Sequence, residues 1–384
     1  MMTREQALRQ VSESGSAGPV PFNDLSIQWR EIADDVRRDF EDVFAKGAFS
    51  SGPYVELFER EIGAYLNTPH AVGVNTGTSA LHLAVLAADV GPGDEVLVPS
   101  HTFIATSWGP IYAGATPVLC ECDETTGTID LDDAERRVTS RTKAIIPVHL
   151  YGQPADMDRV ADLAQRHGLA VIEDNAQAIG AKWNGRALGT LGLLGCFSFY
   201  PGKNLGAAGE AGLVVTSDEK IAARLKSLRN HGQVERYYHS EIGFNYRMDG
   251  LQAVVLRHKL RRLDNWTEWR RALAKRYSEA LAGLPLEIPQ VRHQDHVWHL
   301  FVVRTQARDE LRARLAKAGI ESGLHYPVGT HRQPCLSYLK FDADAYPRSD
   351  RWANECLSLP LFYGMTMAQV DQVVGVVRDF FIGR

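Results

Sequence analysis

Three short segments hold side chains whose chemistries complement one another. Asn75-Thr76-Gly77-Thr78-Ser79-Ala80-Leu81 closes one apolar run and opens a helical stretch. Gly77 allows close backbone approach there, and the hydroxyl of Thr78 or Ser79 is expected to cap the helix. The free N–H groups of such a helix start, together with its dipole, suit an anion such as phosphate. Val171-Ile172-Glu173-Asp174-Asn175-Ala176-Gln177 sets Asp174 directly after an apolar strand, so its carboxylate is expected at the sheet's edge, partly buried. A carboxylate in that position needs a partner, and a protonated ring nitrogen would serve. Phe197-Ser198-Phe199-Tyr200-Pro201-Gly202-Lys203-Asn204 places Lys203 in a Gly/Pro loop just past an aromatic strand, with Ser198 five residues before it.

Taken singly, each feature is ordinary: a hydroxyl N-cap, a helix-capping acid, a surface lysine. The lysine loop is not a P-loop, because Phe197 and Asn204 stand where that motif needs glycine and a hydroxyl. Gly206, Gly209 and Gly212 have the wrong spacing for a dinucleotide fingerprint. A phosphate anchor, a buried carboxylate and a lysine together are what pyridoxal 5'-phosphate (PLP) requires. Its aldehyde condenses with lysine, its ring nitrogen stays protonated beside a carboxylate, and its phosphate is gripped by N–H and hydroxyl groups.

The elements that must position these residues read as alternating strands and helices. Helical spacing of Ile32, Val36, Phe40 and Val43 predicts a helix over Glu31–Phe44, and a second is expected over Val55–Leu66. Strands are expected at Ala71–Val74, Glu95–Pro99, Thr116–Leu119, Lys143–Leu150, Leu169–Glu173, Cys196–Tyr200 and Leu213–Thr216, with helices over Ser79–Ala88 and Met157–His167. Such alternation predicts an α/β fold: a mostly parallel central sheet flanked by helices, with ligands beyond the strands' carboxyl ends. After residue 250 one long helix (Gln252–Leu281), one strand (Val297–Arg304) and helices over Arg308–Ala318 and Ala368–Phe381 suggest a smaller α+β domain. The expected division is a mobile tail at 1–20, a large domain at 21–255 and a small domain at 256–384. The basic cluster Arg257, His258, Lys259, Arg261 and Arg262 reads as a solvated helix face.

Composition bounds the function without naming it. The 384 residues are 45% hydrophobic, ample for a sizeable core, and carry a net charge of -5, which disfavours nucleic acid as a main partner. Five cysteines lack paired spacing, so reduced thiols in the cytoplasm are expected and no metal site is. No apolar run reaches membrane-spanning length, and the first 20 residues lack a signal-peptide core.

The chain resembles the DegT/DnrJ/StrS family of PLP-dependent nucleotide-sugar aminotransferases, of the aspartate-aminotransferase fold (fold type I), from about Val20 to its C-terminus. The resemblance rests on SGPYVELFE (51–59), NTGTSALHLA (75–84), GDEVLVPSHTFIAT (93–106), PVHLYGQPADM (147–157), VIEDNAQAIGA (171–181) and FSFYPGKNLGAAGEAG (197–212). NHG (230–232), IGFNYRMDGLQA (242–253), HYPVGTHRQP (325–334) and LSLPL (357–361) continue it in order. It implies that Lys203 carries the cofactor, Asp174 pairs with its ring nitrogen and Gln177 lies near its ring hydroxyl. It further implies that Phe103 stacks on the ring and that Gly77, Thr78, Ser79 and Ser198 bind the phosphate. Asn245 matches an asparagine that reaches the phosphate from a second subunit, implying a homodimer with shared active sites. Phe49, Tyr326 and His331 align with residues near the sugar nucleotide. One departure is Gly209-Glu210-Ala211-Gly212, where the family often has Gly-Asp-Gly-Gly.

The activity implied is transfer of nitrogen from L-glutamate to a ketone of a nucleotide-linked deoxysugar. RYYHSEIGFNYRMDG (236–250) resembles the same stretch in members that make 3-amino-3,6-dideoxyhexoses on dTDP, which implies amination at C3 within amino-sugar biosynthesis for polysaccharide or antibiotic. Three alternatives stand beside it: amination at C4 of a dTDP, UDP or GDP sugar, a cyclitol ketone as substrate, or a non-catalytic regulatory protein on the same fold. Relatives that dehydrate or deoxygenate keto-sugars carry histidine at the position held here by Lys203.

Overall fold

The computed structural model describes residues 18–292 and 295–383. Short apolar runs form β1 (His70–Val74), β2 (Glu95–Pro99), β3 (Thr116–Cys120), β4 (Thr142–Ile145) and β5 (Ala170–Asp174). A two-residue hairpin, β6 (Lys182–Trp183) and β7 (Arg186–Ala187), precedes β8 (Leu194–Ser198) and β9 (Gly212–Thr216). The main sheet has the order β1-β9-β8-β5-β4-β2-β3. The pairs β2/β3, β2/β4, β4/β5 and β5/β8 are parallel, and β9 alone runs against both its neighbours.

Both faces are covered, because alternate residues of a strand point to opposite sides. Leu213 and Val215 enter a core with the helices Leu25–Lys46 and Pro53–Leu66, while Val214 joins the core under the helix Gly77–Ala87. The mostly parallel, helix-flanked sheet is as expected. The expected strand Lys143–Leu150 stops at Ile145, and the one over Cys196–Tyr200 is shifted to end at Ser198.

Past β9 the sequence expectations need correction. After the hairpin β10 (Gln233–Glu235) and β11 (Tyr238–His239), the single long helix is two, Gly250–Leu260 and Leu263–Leu281. At the break Arg262 Nη1 donates to the His258 carbonyl at 3.0 Å, satisfying an acceptor that the ended helix frees. The basic cluster is an exposed face only at Arg261. Lys259 and His258 are buried, His258 Nε2 lies 2.8 Å from Asp39 Oδ2, and Arg257 Nε donates to Glu61 Oε1 at 3.0 Å. Acidic side chains on the first two helices meet these bases, so opposite charges let the face pack. Burial pushes the Lys259 amine down to about 8.

Leu256, Leu260 and Leu263 belong to the core of those helices, so the division expected at 255/256 falls within a helix that serves the larger core. The smaller core gathers the Leu263–Leu281, Arg308–Lys317 and Met367–Ile382 helices around β12 (Phe301–Arg304). β12 pairs antiparallel with β13 (Cys356–Leu359), a strand that the sequence reading did not assign. Of the expected N-terminal tail, residues 1–17 lie outside the described residues. Val20 is fully buried in the smaller core and donates its N–H to the Gly319 carbonyl at 2.9 Å. Among the described residues no helix is long and apolar enough to cross a membrane.

Candidate active site

Strands β1, β2, β5 and β8 run in the same sense, so the segments leaving their carboxyl ends meet along one edge of the sheet. Register places Val74, Gly212 and Ser198 side by side across β1, β9 and β8. Backbone contact there is tight. A Cβ on Gly77 would fall 2.6 Å from Ser198 Cβ, and one on Gly212 would fall 2.3 Å from the Thr76 carbonyl oxygen. Glycine is therefore required at both positions, and two of the expected phosphate residues abut.

The cap of the Gly77–Ala87 helix differs from expectation. Thr76 Oγ1, not Thr78 or Ser79, accepts the Ser79 N–H at 3.0 Å, and it also lies 3.0 Å from Ser79 Oγ. Thr76 is the residue in extended conformation, which the cap position demands. This leaves the Thr78 hydroxyl uncommitted among the described residues, at the start of a helix whose first N–H groups have no helical acceptor.

Asp174 ends β5 and is only 4% exposed. No helix follows it, so it caps none. Oδ2 accepts from Thr106 Oγ1 at 2.9 Å, and Oδ1 accepts from the Ala176 N–H at 3.1 Å. Burial nevertheless raises its pKa, against the opposing pull of those two donors and of the Lys203 charge. Lys203 sits in the loop after β8, where its N–H donates to the Tyr200 carbonyl at 2.8 Å. Burial lowers the amine to about 8, while the Asp174 carboxylate pulls it upward. The same lysine charge, after burial, pushes down the imidazoles of His299 and His325.

Around this pair stand the aromatic groups. Phe103 is 52% exposed, and its ring lies 5.6 Å from that of Tyr326 at an angle of 39°. Gln177 is held at both ends, since Oε1 accepts from the Tyr151 N–H at 2.6 Å and Nε2 donates to Tyr326 Oη at 3.1 Å. Tyr151 Oη in turn bonds the His325 carbonyl and lies 2.8 Å from His101 Nε2. These residues fit PLP: an under-compensated buried carboxylate for a cationic ring, a lysine inclined to neutrality, and a glycine cradle with hydroxyls for phosphate.

Three expected residues stand apart. His331 is committed to Asp350, with Nε2 2.9 Å from Oδ1, and packs on Tyr346 at 4.6 Å. Phe49 is exposed against Phe44. Asn245 is exposed as well, opposite Asn230 on the segment whose Tyr246 carbonyl accepts from the Asn75 N–H at 3.0 Å. Conversely, Thr106, Tyr151, His101 and His299 were not identified as site residues from sequence. Their types are common in cores and no local spacing marks them; strand order and the smaller core bring them to Asp174 and Lys203. Among the described residues no acidic, histidine or cysteine cluster is placed to hold a metal.

The chain is similar to known proteins over nearly its whole length. The chain is 46% identical over 373 residues to the dTDP-3-amino-3,4,6-trideoxy-alpha-D-glucose transaminase of Streptomyces venezuelae, covering 96% of this chain and 98% of that protein. It is 42% identical over 366 residues to the pleiotropic regulatory protein of Geobacillus stearothermophilus, covering 94% of this chain and 98% of that one. Its fold superposes on the crystal structure of S. venezuelae DesV in complex with a ketimine intermediate, with a TM-score of 0.92 and 45% identity over 94% of this chain and 98% of that one. The model of the DegT/DnrJ/EryC1/StrS aminotransferase family matches residues 30–378, and the chain belongs to that family.

Proposed function

We propose that this PLP-dependent aminotransferase moves an amino group from L-glutamate to C3 of a dTDP-linked keto-deoxysugar, as a homodimer with shared active sites. The observation that carries the reading is the pair at the sheet's edge, a buried Asp174 and a half-buried Lys203 that each sense the other's charge, with the lysine held down to about 8. A non-catalytic protein on this fold is expected to lose members of that pair, and a dehydrating relative would carry histidine in place of Lys203. The S. venezuelae relative, whose name specifies a 3-amino dTDP sugar, supports the choice of C3 and of the nucleotide. Five free cysteines, four of them buried, suit a reducing cytoplasm.

Bound here, PLP would supply an aldehyde for the donor nitrogen and a cationic ring able to take up the electron pair left on the donor carbon when it loses its proton. Asp174 keeps the proton on the ring nitrogen. Lys203 would hold the cofactor at rest and, once released, would take the proton from the donor carbon as base and deliver it as acid to the cofactor's aldehyde carbon, on the far side of the nitrogen. Gly77, Thr78, Ser79 and Ser198 would anchor the phosphate, Phe103 would cover the ring, and Gln177 would stand near its hydroxyl. Asn245 of each subunit serves the other's site. Phe49, Tyr326 and His331 border the sugar nucleotide. Donor and acceptor use one site in turn, which gives ping-pong kinetics.

The test incubates the protein with L-glutamate and a panel of 3- and 4-keto sugars on dTDP, UDP and GDP. Mass and NMR analysis should show nitrogen at C3 of a dTDP sugar and 2-oxoglutarate in equal amount. Nitrogen at C4, or preference for another nucleotide, overturns the finer assignment. Lys203→Ala should lose turnover and the yellow colour of bound cofactor, and a fully active variant overturns the whole reading.

A further inference from the structure

The segment Val297-Trp298-His299 is fixed more firmly than a connection between elements requires. Trp298 has φ 51°, in the left-handed region that bulky side chains avoid. Its carbonyl and that of His299 accept from Arg270 Nη1 at 3.2 and 3.3 Å, and the same nitrogen reaches the Leu361 carbonyl at 2.8 Å. Arg270 is buried and has no carboxylate partner among the described residues, so its charge is committed to this turn. The Val297 N–H donates to the Gly152 carbonyl at 3.0 Å, and the Trp298 N–H to His296 Nδ1 at 2.9 Å. Such strain persists where its surroundings over-determine it, and it gathers at functional sites. The residue this turn presents is His299.

Asn204, the residue after Lys203, sets the ring's protonation. Its Nδ2 donates to the Val297 carbonyl at 2.9 Å, which can only accept, so its Oδ1 is the atom 3.3 Å from His299 Nδ1. Nδ1 therefore carries the ring proton and Nε2 is a bare lone pair. No hydrogen bond among the described residues uses that Nε2, and the ring is half-buried. Because Asn204 is bonded to Lys203 in the chain, the contact ties His299 to the lysine's own loop.

We propose that His299 is a positioning residue for Lys203: its Nε2 accepts a hydrogen bond from the released Lys203 amine and thereby aims the amine's lone pair at the proton to be moved. The proton still passes between substrate carbon and Lys203 Nζ alone; His299 gains and loses none. Burial and the lysine charge keep the imidazole neutral and accepting; the other titratable groups that sense the amine are Asp174, which draws it toward the ammonium, and His325, whose imidazole is likewise pushed down. This inference rests on Lys203 being the cofactor lysine.

Two variants separate positioning from packing. His299→Asn keeps a donor where Nδ1 meets Asn204 but removes the ε position; His299→Gln keeps an ε acceptor and gives up the δ donor. In the single-turnover reaction of the full-length holoenzyme with L-glutamate, His299→Asn should be about 10- to 100-fold slower with KM little changed, and His299→Gln should recover most of the rate. A second readout is acylation of Lys203 in the pyridoxamine form, where the amine is free, followed by peptide mass spectrometry. Its pH midpoint should fall by about one unit in His299→Asn, because an acceptor that stabilised the ammonium is gone, and should stay near wild type in His299→Gln. Wild-type rate and midpoint in His299→Asn overturn the proposal, as does the reverse ranking of the two variants. If PLP loading fails to protect the Lys203 peptide from acylation in wild type, the cofactor assignment itself falls instead.

Discussion

Lys203 and Asp174 hold each other between two states. Burial drives both toward their neutral forms, and each one's charge drives the other back. A lysine at about 8 attacks an aldehyde only as the free amine, so the rate of PLP uptake by the apoprotein should climb with pH and level off above about 8. The rise of cofactor absorbance in a pH series checks this. Asp174→Asn removes the group that raises the lysine pKa, so its uptake curve should move to lower pH while turnover is mostly lost. Thr106→Val tests the carboxylate from the other side. Without the 2.9 Å hydroxyl contact, Asp174 loses one of two donors, its pKa rises further, and it pairs less well with a cationic ring. A charged hydrogen bond is worth about 1.5–3 kcal/mol, so a kcat roughly tenfold lower is expected, measured in the glutamate half-reaction. An unchanged rate would mean that the Ala176 N–H alone suffices.

At the scale of elements, the site depends on how closely β1, β9 and β8 bring their ends together. Gly77→Ala would set a methyl 2.6 Å from Ser198 Cβ, and backbone must move to accommodate it. A loss of about 1–3 kcal/mol in stability is expected from such overpacking. PLP affinity should fall at least about tenfold, since the N–H groups and hydroxyls that grip the phosphate are displaced. Thermal melting and equilibrium dialysis give the two quantities separately. The strands were legible because each is a short apolar run between turn residues, and Lys203, Asp174 and Gly77 were legible because they follow such runs. The cap was misplaced by two or three residues, because several hydroxyls stand in a row and only backbone conformation selects Thr76. The helix break at Arg261–Arg262 and the buried basic face escaped because periodicity reports spacing, not which acidic surface arrives to cover a charge. Strand β13 escaped because its partner β12 lies 52 residues earlier at the paired Arg304 and Cys356. Thr106, Tyr151 and His299 illustrate the same limit: their neighbours come from strand order and from the smaller core, which no local pattern encodes.

At the scale of the molecule, a single chain leaves apolar surface open next to the Asn245 segment. Tyr237 is 81% exposed and Ile242 87%, with Val234 and Tyr238 also exposed, all on or next to the β10–β11 hairpin that leads to Asn245. A cluster of this kind marks a surface meant to be covered, and a second copy of the chain is the occupant proposed here. The net charge of -5 does not oppose a nucleotide ligand, because local contacts, not the global field, decide such binding. If Asn245 of one subunit completes the site built on Lys203 of the other, each site is divided between two chains. Lys203→Ala and Asn245→Ala homodimers should then both be strongly impaired, for different reasons. Dissociated together and reassembled, about half the dimers are hybrids, and each hybrid contains one site with both defects and one with neither. Mixing should therefore restore roughly a quarter of wild-type turnover, while either variant reassembled alone gains nothing. Should Asn245 instead serve the site of its own chain, every site in a hybrid would keep one defect. The mixture would then show only the average of its parents, and the shared-site arrangement would be excluded.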